Sequence, residues 1–470
     1  MNAQRIGFIV GILAFALTIV LPAPAGMPPQ AWLVAGLVVW MAAWWMTEAI
    51  PLTATALLPF LVLPFAGVLN AKDTASAYYE PILFLILGGA FLALAIERTG
   101  LHRRLSLAIL KAVGSGGGQS RLLLAFMVSA AILSMLISNT STALIMMPMA
   151  LAVLAGGGLA PEERDGLAGA LPMGIAFAAS IGGLGTIVGS PTNGIAVALL
   201  DSMIGLKISF AKWTTFGLPI VIVGVPIAAL IIARVQKVAA HPFDVDAARA
   251  AIDTHTRWTM PERRLIPLIA ITFLLWMMAP LLQNYLPAGS LTDGTIAIAA
   301  GLALFMLPDG TGRPLLIWKE ADRAPWGVIM MFGGGLALAA GMGASGLANW
   351  LGSALLPLSA VPLILVALAL VGMVILITEF ASNVATASAI IPVVASLTVA
   401  MGVDPVLLAM PAALAASWGF MLPAGTGPNA IAWSTGRIKL PRMVGAGLLL
   451  DLVGIILIVV IVWAIAALAG

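Results

Sequence analysis

The sequence predicts an all-α polytopic membrane protein, with 11 transmembrane helices and two re-entrant helical hairpins arranged as an inverted repeat. Three observations carry this: the composition, two double-length apolar segments broken by polar residues, and an ordered series of matches between the two halves. Of 470 residues, 61% are apolar and only 9% charged, with mean hydropathy +1.11; about a quarter of a soluble domain is charged. The 49 glycines and 30 prolines do not signal disorder, because disordered chains are poor in apolar residues. The net charge of +3 is spread over short connections rather than gathered in a stripe, which reads as membrane topology and not as a nucleic-acid surface. Cysteine is absent, so disulfides, thiolate metal sites and cysteine nucleophiles are excluded together.

Apolar segments of spanning length lie near 6–24, 31–46, 51–68, 81–97, 214–236, 263–282, 291–307, 324–342 and 442–468. The first could also be read as a secretory signal ending at Ala23-Pro24-Ala25. Its long apolar run, its prolines and the all-membrane chain behind it favour a first span, residues 1–25, outside the repeat. Residues 121–155 and 361–400 are about twice span length and are interrupted in their middles by Ser, Asn and Thr. Polar, non-helical backbone survives at membrane depth only where it lines a wet or protein-buried cavity, so these segments read as hairpins. Residues 166–200 and 408–437 read as broken helices, interrupted by Gly182-Gly183-Leu184-Gly185 to Asn193 and by Gly425-Thr426-Gly427-Pro428-Asn429.

With the N-terminus in the cytoplasm, this threading puts all but Lys72, Lys207 and Lys212 of the 22 Lys and Arg inside, as the positive-inside bias requires. The expected location is the plasma (inner) membrane. After residue 97, the segment with Arg98, His102, Arg103, Arg104 and Lys111 reads as an amphipathic surface helix, and the uncharged 345–357 as its counterpart on the opposite side.

The halves align at an offset of about 244 residues. Ser134, Ser138, Asn139, Thr142, Ala143 and Pro148 meet Thr378, Ser382, Asn383, Thr386, Ala387 and Pro392. Gly88-Gly89 meets Gly333-Gly334, and Ala178-Ala179-Ser180 with Asn193 meets Ala415-Ala416-Ser417 with Asn429. The first repeat is 26–240 and the second 263–470, joined by a cytoplasmic linker at 241–262. An odd number of crossings per copy makes the two copies opposite in orientation. Alternating-access transporters commonly have this architecture, with sites near the midplane at broken helices.

Hairpin tips and unwound spans expose helix N-terminal N–H groups, which suit an anion, and C-terminal carbonyls, which suit a small hard cation. No Lys, Arg or His lies in 122–163, 165–206 or 324–436. An anion bound there in low dielectric therefore needs mobile cations beside it, which points to sodium coupling rather than facilitated diffusion.

Ser138-Asn139-Thr140 and Ser382-Asn383-Val384 in the two hairpins, followed by Gly189-Ser190-Pro191-Thr192-Asn193 and Gly425-Thr426-Gly427-Pro428-Asn429, resemble the divalent anion:sodium symporter family over essentially the whole chain. That resemblance implies a homodimer, with scaffold and transport domains each drawn from both repeats and the transport domain moving as an elevator. It implies Na+-coupled symport of C4 dicarboxylates such as succinate, malate and fumarate. The substrate contacts it implies are Ser138, Asn139, Thr140, Ser190, Pro191, Ser382, Asn383, Val384, Thr426 and Gly427. One sodium site would use Ser134, Ser138, Asn139 and Gly189, the other Thr378, Ser382, Asn383 and Gly425, so that two or more Na+ ions couple transport, with no organic cofactor. Val384 stands where the family pattern has Thr, and the loop motif, usually Thr-Pro-Pro-Asn, departs in both halves; these changes bear on substrate identity.

A sodium-independent dicarboxylate exchanger, or a Na+-coupled citrate or sulfate carrier, are the alternatives within transport. A pore fits poorly with paired hairpins and broken spans. An intramembrane hydrolase would need a base or metal ligands in the membrane, and His102, His241 and His255 all lie in charged connections; no enzyme activity is expected. Glu379, next to Thr378, is a candidate for organising a cation site or for helix packing. Glu48 and Glu97 lie at span ends, Asp451 is given no role, and Gly88-Gly89 and Gly333-Gly334-Gly335 read as helix-packing devices. The 13 Trp and 23 Met read as interface anchors and lipid-facing filler.

Overall fold

The computed structural model describes residues 3–114, 117–250 and 257–469; His255 of the linker lies outside them. Its elements are helical, and the described residues contain one isolated antiparallel bridge, between Pro308 and Pro314. Ten of the described helices are long and apolar enough to cross a membrane. Three of those, Asn139–Gly156, Leu363–Phe380 and Asn383–Met401, are legs of the expected hairpins.

Two expected spans are shorter in the structure. Residues 51–68 form two pieces, Leu52–Thr55 and Leu58–Phe65. Pro59 has no N–H to give a continuing helix and its ring would clash with the preceding turn, so the helix restarts with Pro59 in its first turn. Residues 291–307 give a 14-residue helix, Asp293–Met306, started by a capping box between Thr292 and Thr295.

The segments expected as hairpins and as broken helices are each a pair of helices separated by a short break. Gln119–Ser134 returns as Asn139–Gly156, and Leu363–Phe380 returns as Asn383–Met401. The second leg starts in each case at a serine N-cap: Ser138 Oγ accepts from Ser141 N (3.2 Å) and Ser382 Oγ from Ala385 N (3.2 Å). Leu167–Gly183 breaks before resuming at Pro191–Ile204, and Pro405–Ala415 breaks before Gly427–Ser434. The surface helix Leu101–Gly114 follows Gly100 at φ +80°, and Leu347–Leu355 follows Gly346 at φ +81°. A left-handed residue ends each preceding span, and glycine takes that conformation without steric cost.

The glycine pairs do act in packing. A Cβ on Gly88 would run into the backbone of Ala297, one on Gly334 into that of Ala56, and one on Gly182 into that of Ala131. Substituting these positions would force main chains apart.

Ion pairs tie connections to helix ends. Arg98 pairs with Asp309 and donates to the Leu315 carbonyl (2.7 Å), while Arg313 reaches Glu320 at 2.6 Å. Arg104 meets Glu262 at 3.1 Å with its guanidinium 4.2 Å from the Trp258 ring centre. Asp165, before the first broken helix, holds Lys439 (2.8 Å) and Arg442 (2.5 Å) at the start of the last helix, Leu440–Ala469.

Burial alone would raise the Asp309 carboxyl, but hydrogen bonds from Arg98 and Thr311 outweigh it and hold the group well below the usual carboxylate range. A carboxyl depressed on folding stabilises the protein above its unfolded pKa, and that contribution disappears as pH falls through the folded value. Asp309→Asn is therefore expected to lower the thermal midpoint in detergent at pH 7 by a few degrees. The difference from the parent protein should narrow under strongly acidic conditions; an equal loss at every pH would exclude this origin.

Candidate functional site

The two hairpin tips and the two helix breaks meet around one cavity of about 460 Å³. Its wall includes Ser138, Asn139 and Thr140 from the first hairpin and Ser382, Asn383 and Val384 from the second. The breaks supply Ser190 and Pro191 on one side, and Gly425, Thr426 and Gly427 on the other. All ten residues expected to contact substrate thus line one space.

Four helices begin at this cavity: Asn139–Gly156, Asn383–Met401, Pro191–Ile204 and Gly427–Ser434. Their first N–H groups have no intrahelical acceptor, and the helix dipoles place partial positive charge there. Thr426 Oγ1 caps the last by accepting from Asn429 N (3.2 Å), and Gly427 leaves the space that the Thr140 hydroxyl occupies. Such convergence suits an anion.

Of the residues expected at the cations, Ser138, Asn139, Ser382, Asn383 and Gly425 are on the wall and the other three lie behind it. Ser134 and Thr378 are fully buried and, with Gly189, do not line the cavity. The Asn139 amide sets one terminal atom 2.7 Å from the Ser134 hydroxyl, 3.2 Å from the Ala179 carbonyl oxygen and 3.1 Å from the Gly189 carbonyl oxygen. A nitrogen there donates to these oxygens; an oxygen there completes a cluster of four oxygen atoms. The hydrogen-bond network alone chooses between the two orientations. In the second half, Thr378 Oγ1 lies 2.9 Å from Asn383 Oδ1 and 2.9 Å from the Ala416 carbonyl oxygen. One hydroxyl hydrogen faces two acceptors. Ala179 and Ala416 are the central residues of the matched Ala-Ala-Ser triplets, so both clusters draw a carbonyl from the same place in each repeat. The donor sets consist of hydroxyl, amide and carbonyl oxygens, which fit a hard cation such as Na+.

The breaks are held open by side chains. Asn193 Nδ2 donates to the Gly183 (2.7 Å) and Thr186 (2.8 Å) carbonyls, and Asn429 Nδ2 to the Leu422 carbonyl (3.1 Å). Thr186 Oγ1 donates to the Met135 carbonyl (2.7 Å), tying the first break to its hairpin tip. Glu379, 1% exposed, does this in the second half: its carboxylate accepts from the backbone N–H of Phe420, Met421 (2.9 Å) and Leu422 (3.0 Å).

One electrostatic expectation needs correction. No basic side chain comes from the hairpins or breaks, but the connection before Trp326–Ser345 brings Arg323 to the cavity wall, with Glu97 also on the wall. Both are exposed, so the two charges sit at the mouth. The sequence windows stop at residue 324, one position short. His102 and His241 lie away from the cavity.

A family profile, the sodium:sulfate symporter transmembrane region, matches residues 3–468. The chain belongs to this family. Among curated proteins, members named sodium-dependent dicarboxylate transporter SdcS resemble it, one from Staphylococcus saprophyticus and one from Staphylococcus aureus strain USA300. Each is 38% identical, over 98% of this chain and 91% of the relative. Among solved structures, the YdaH transporter of Alcanivorax borkumensis superposes with TM-score 0.60 at 16% identity, covering 92% of this chain and 98% of that one; this likeness is one of fold. The symporter family assignment and the apolar helices make the protein a multi-pass integral membrane protein.

Proposed function

We propose that the chain is a secondary active transporter that moves dicarboxylates together with Na+, with C4 dicarboxylates such as succinate, malate and fumarate as substrates. The observation that carries this is the layered site: a cavity ringed by helix N-termini, backed by two oxygen clusters that share Asn139 and Asn383 with the cavity wall. The names of the staphylococcal relatives support dicarboxylate and sodium as the ligands.

In this reading the N–H groups of the hairpin legs and the Thr140 and Thr426 hydroxyls hold the carboxylates. One Na+ sits among Ser134, Ser138, Asn139 and Gly189, and a second among Thr378, Ser382, Asn383 and Gly425. The ions supply positive charge beside a dianion that would otherwise be expensive to place in low dielectric. The N-terminus is cytoplasmic, and the eleven crossings with two re-entrant hairpins follow the threading set by the basic residues. Arg323 and Glu97 then place the open mouth of the cavity on the cytoplasmic side, and Arg323 draws anions toward it. The hairpins and broken helices move as one transport unit past a scaffold held in a homodimer, and no catalytic chemistry takes part.

Labelled-succinate uptake into proteoliposomes, with and without an inward sodium gradient, tests the reading, with citrate, sulfate and glutamate as competitors. Accumulation that persists when choline replaces sodium would sink it. Asn139→Ala and Asn383→Ala are each expected to lower uptake at least tenfold and to weaken its sodium dependence, since each amide belongs to a proposed cation site and sits on the first residue of a helix whose N–H groups meet the substrate. Arg323→Gln should raise the half-saturating succinate concentration two- to fivefold at low ionic strength and less at high salt, leaving sodium half-saturation unchanged. A hundredfold loss there would instead make Arg323 a direct substrate ligand.

A further inference from the structure

A second cavity, of about 850 Å³, adjoins the tip of the second hairpin. Ser382, Val384, Pro325 and Val328 line both it and the site cavity, so the hairpin tip is a partition between two spaces. The rest of the second wall comes from elements other than the hairpins and breaks: Gln4 of the first helix, Ala3–Val20, the turn from Glu48 to Thr53, and Gly327 and Met331 of Trp326–Ser345.

The two cavities differ in charge. The site cavity is ringed by helix N-termini and has both Arg323 and Glu97 on its wall. Among the described residues of the second wall, Glu48 alone is charged; Arg323 and Arg5 do not line it. The helix Pro29–Thr47 ends there, and its last carbonyls bring partial negative charge to the same place. Trp326–Ser345 and Asn383–Met401 begin next to residues that both walls share, so their N-termini do not distinguish the two spaces. Glu48 is also the left-handed residue that closes Pro29–Thr47, at φ +49° and ψ +41°. Four other helices close on a left-handed residue, and each uses glycine: Gly100, Gly205, Gly346 and Gly402. That conformation costs a residue with a Cβ and costs glycine nothing. The exposed carboxylate of Glu48 is thus present at a position whose backbone favours having no side chain.

We propose that this second cavity is a cation vestibule: the Na+ held among Thr378, Ser382, Asn383 and Gly425 reaches and leaves its site through it, past Glu48, while the anion uses the cavity that opens beside Arg323. The inference rests on the sodium-coupled reading above for its ion and on the shared wall for its path. Ser382 is where the two routes meet, since it lines both spaces and belongs to the proposed cation set. Glu48 is not one of the ligands; its charge raises the local cation concentration at the entrance. Opposite fields at the two entrances speed each ion toward its own side of the hairpin tip.

The chain has no cysteine, so single reporter thiols can be placed without removing any background. Thr53→Cys on the second wall and Ala93→Cys on the site wall are labelled in detergent at low ionic strength with a trimethylammonium and a sulfonate methanethiosulfonate of similar size. The ratio of the two rates at one thiol cancels that thiol's own reactivity. The cation-to-anion ratio should be about fivefold or more higher at Thr53→Cys than at Ala93→Cys, should shrink as salt is added, and should be largely lost when Glu48→Gln is introduced. Glu48→Gly should lose it as well while keeping or raising the thermal midpoint, because glycine takes the left-handed cap without strain; this variant decides if the Gln variant fails to fold. In proteoliposomes at low ionic strength, Glu48→Gln should slow sodium-driven succinate uptake about two- to fivefold, with the sodium concentration that half-stabilises the protein against heat unchanged within about twofold. Equal ratios at the two thiols, or a preference at Thr53→Cys that survives loss of the Glu48 charge, overturn the proposal. So does loss of sodium-dependent stabilisation in Glu48→Gln, which would make Glu48 a cation ligand. A protein with the charge preference but without sodium-dependent uptake would refute the transport reading and leave the cation preference of the vestibule standing.

Discussion

Unwound backbone inside an apolar body has to find hydrogen-bond partners within the protein, because a buried peptide group left unpaired costs free energy comparable to a lost hydrogen bond. Four interruptions meet at the centre of this chain, and each is answered by a short polar side chain. Serines cap the returning legs of the hairpins, threonines cap the Ile187–Gly189 turn and the Gly427–Ser434 helix, and Asn193 and Asn429 hold the carbonyls of the broken spans. What remains after this satisfaction is directional. Helix N-termini line the cavity, while the Ser134 and Thr378 hydroxyls with the Ala179 and Ala416 carbonyls lie behind it. On the proposed reading, the same constraint that permits the breaks sorts the site into a layer for anions and a layer for cations.

The halves solve the problem differently. In the first, the tie between break and hairpin is a neutral hydroxyl bonded to the Met135 carbonyl. In the second, a buried carboxylate gathers three N–H groups. The Glu379 carboxyl thus holds a whole segment, Phe420 to Leu422, where Thr186 holds a single carbonyl. A repeat that is symmetric in backbone is therefore asymmetric in its polar ties.

Much of the architecture was legible in the sequence because membrane depth makes polar interruptions conspicuous: a run such as Ile132 to Ile145 contains Ser134, Ser138, Asn139, Thr140, Ser141 and Thr142, which only a protected bend can accommodate. The hairpin residues of the cavity wall were legible through their repetition 244 positions apart, and those of the breaks, whose asparagines are 236 apart, through the family resemblance. Arg323 was not, because it lies on a connection and reaches the mouth through the fold rather than through any periodicity. The packing of Leu363–Phe380 on Leu440–Ala469 was hidden for a similar reason, since no periodicity pairs one apolar helix with another. The short pieces at Leu52–Thr55 and Leu58–Phe65 show the converse: hydropathy counted one span where the prolines had already divided it.

Asn139 shows how the two layers can act on one another. Its backbone N–H belongs to the cavity side, at the first position of a helix, while its side-chain amide belongs to the oxygen cluster. With the amide nitrogen turned inward, the cluster is satisfied by the protein alone. With the amide oxygen turned inward, oxygens crowd one another, and only a cation makes that arrangement favourable. On the proposed reading, a sodium ion thus selects one amide orientation and stiffens the first turn of the helix whose N–H groups meet the substrate. Linkage then requires the substrate to favour the ion by the same factor as the ion favours the substrate, so coupling needs no contact between the two ligands, only the one residue whose two ends face both.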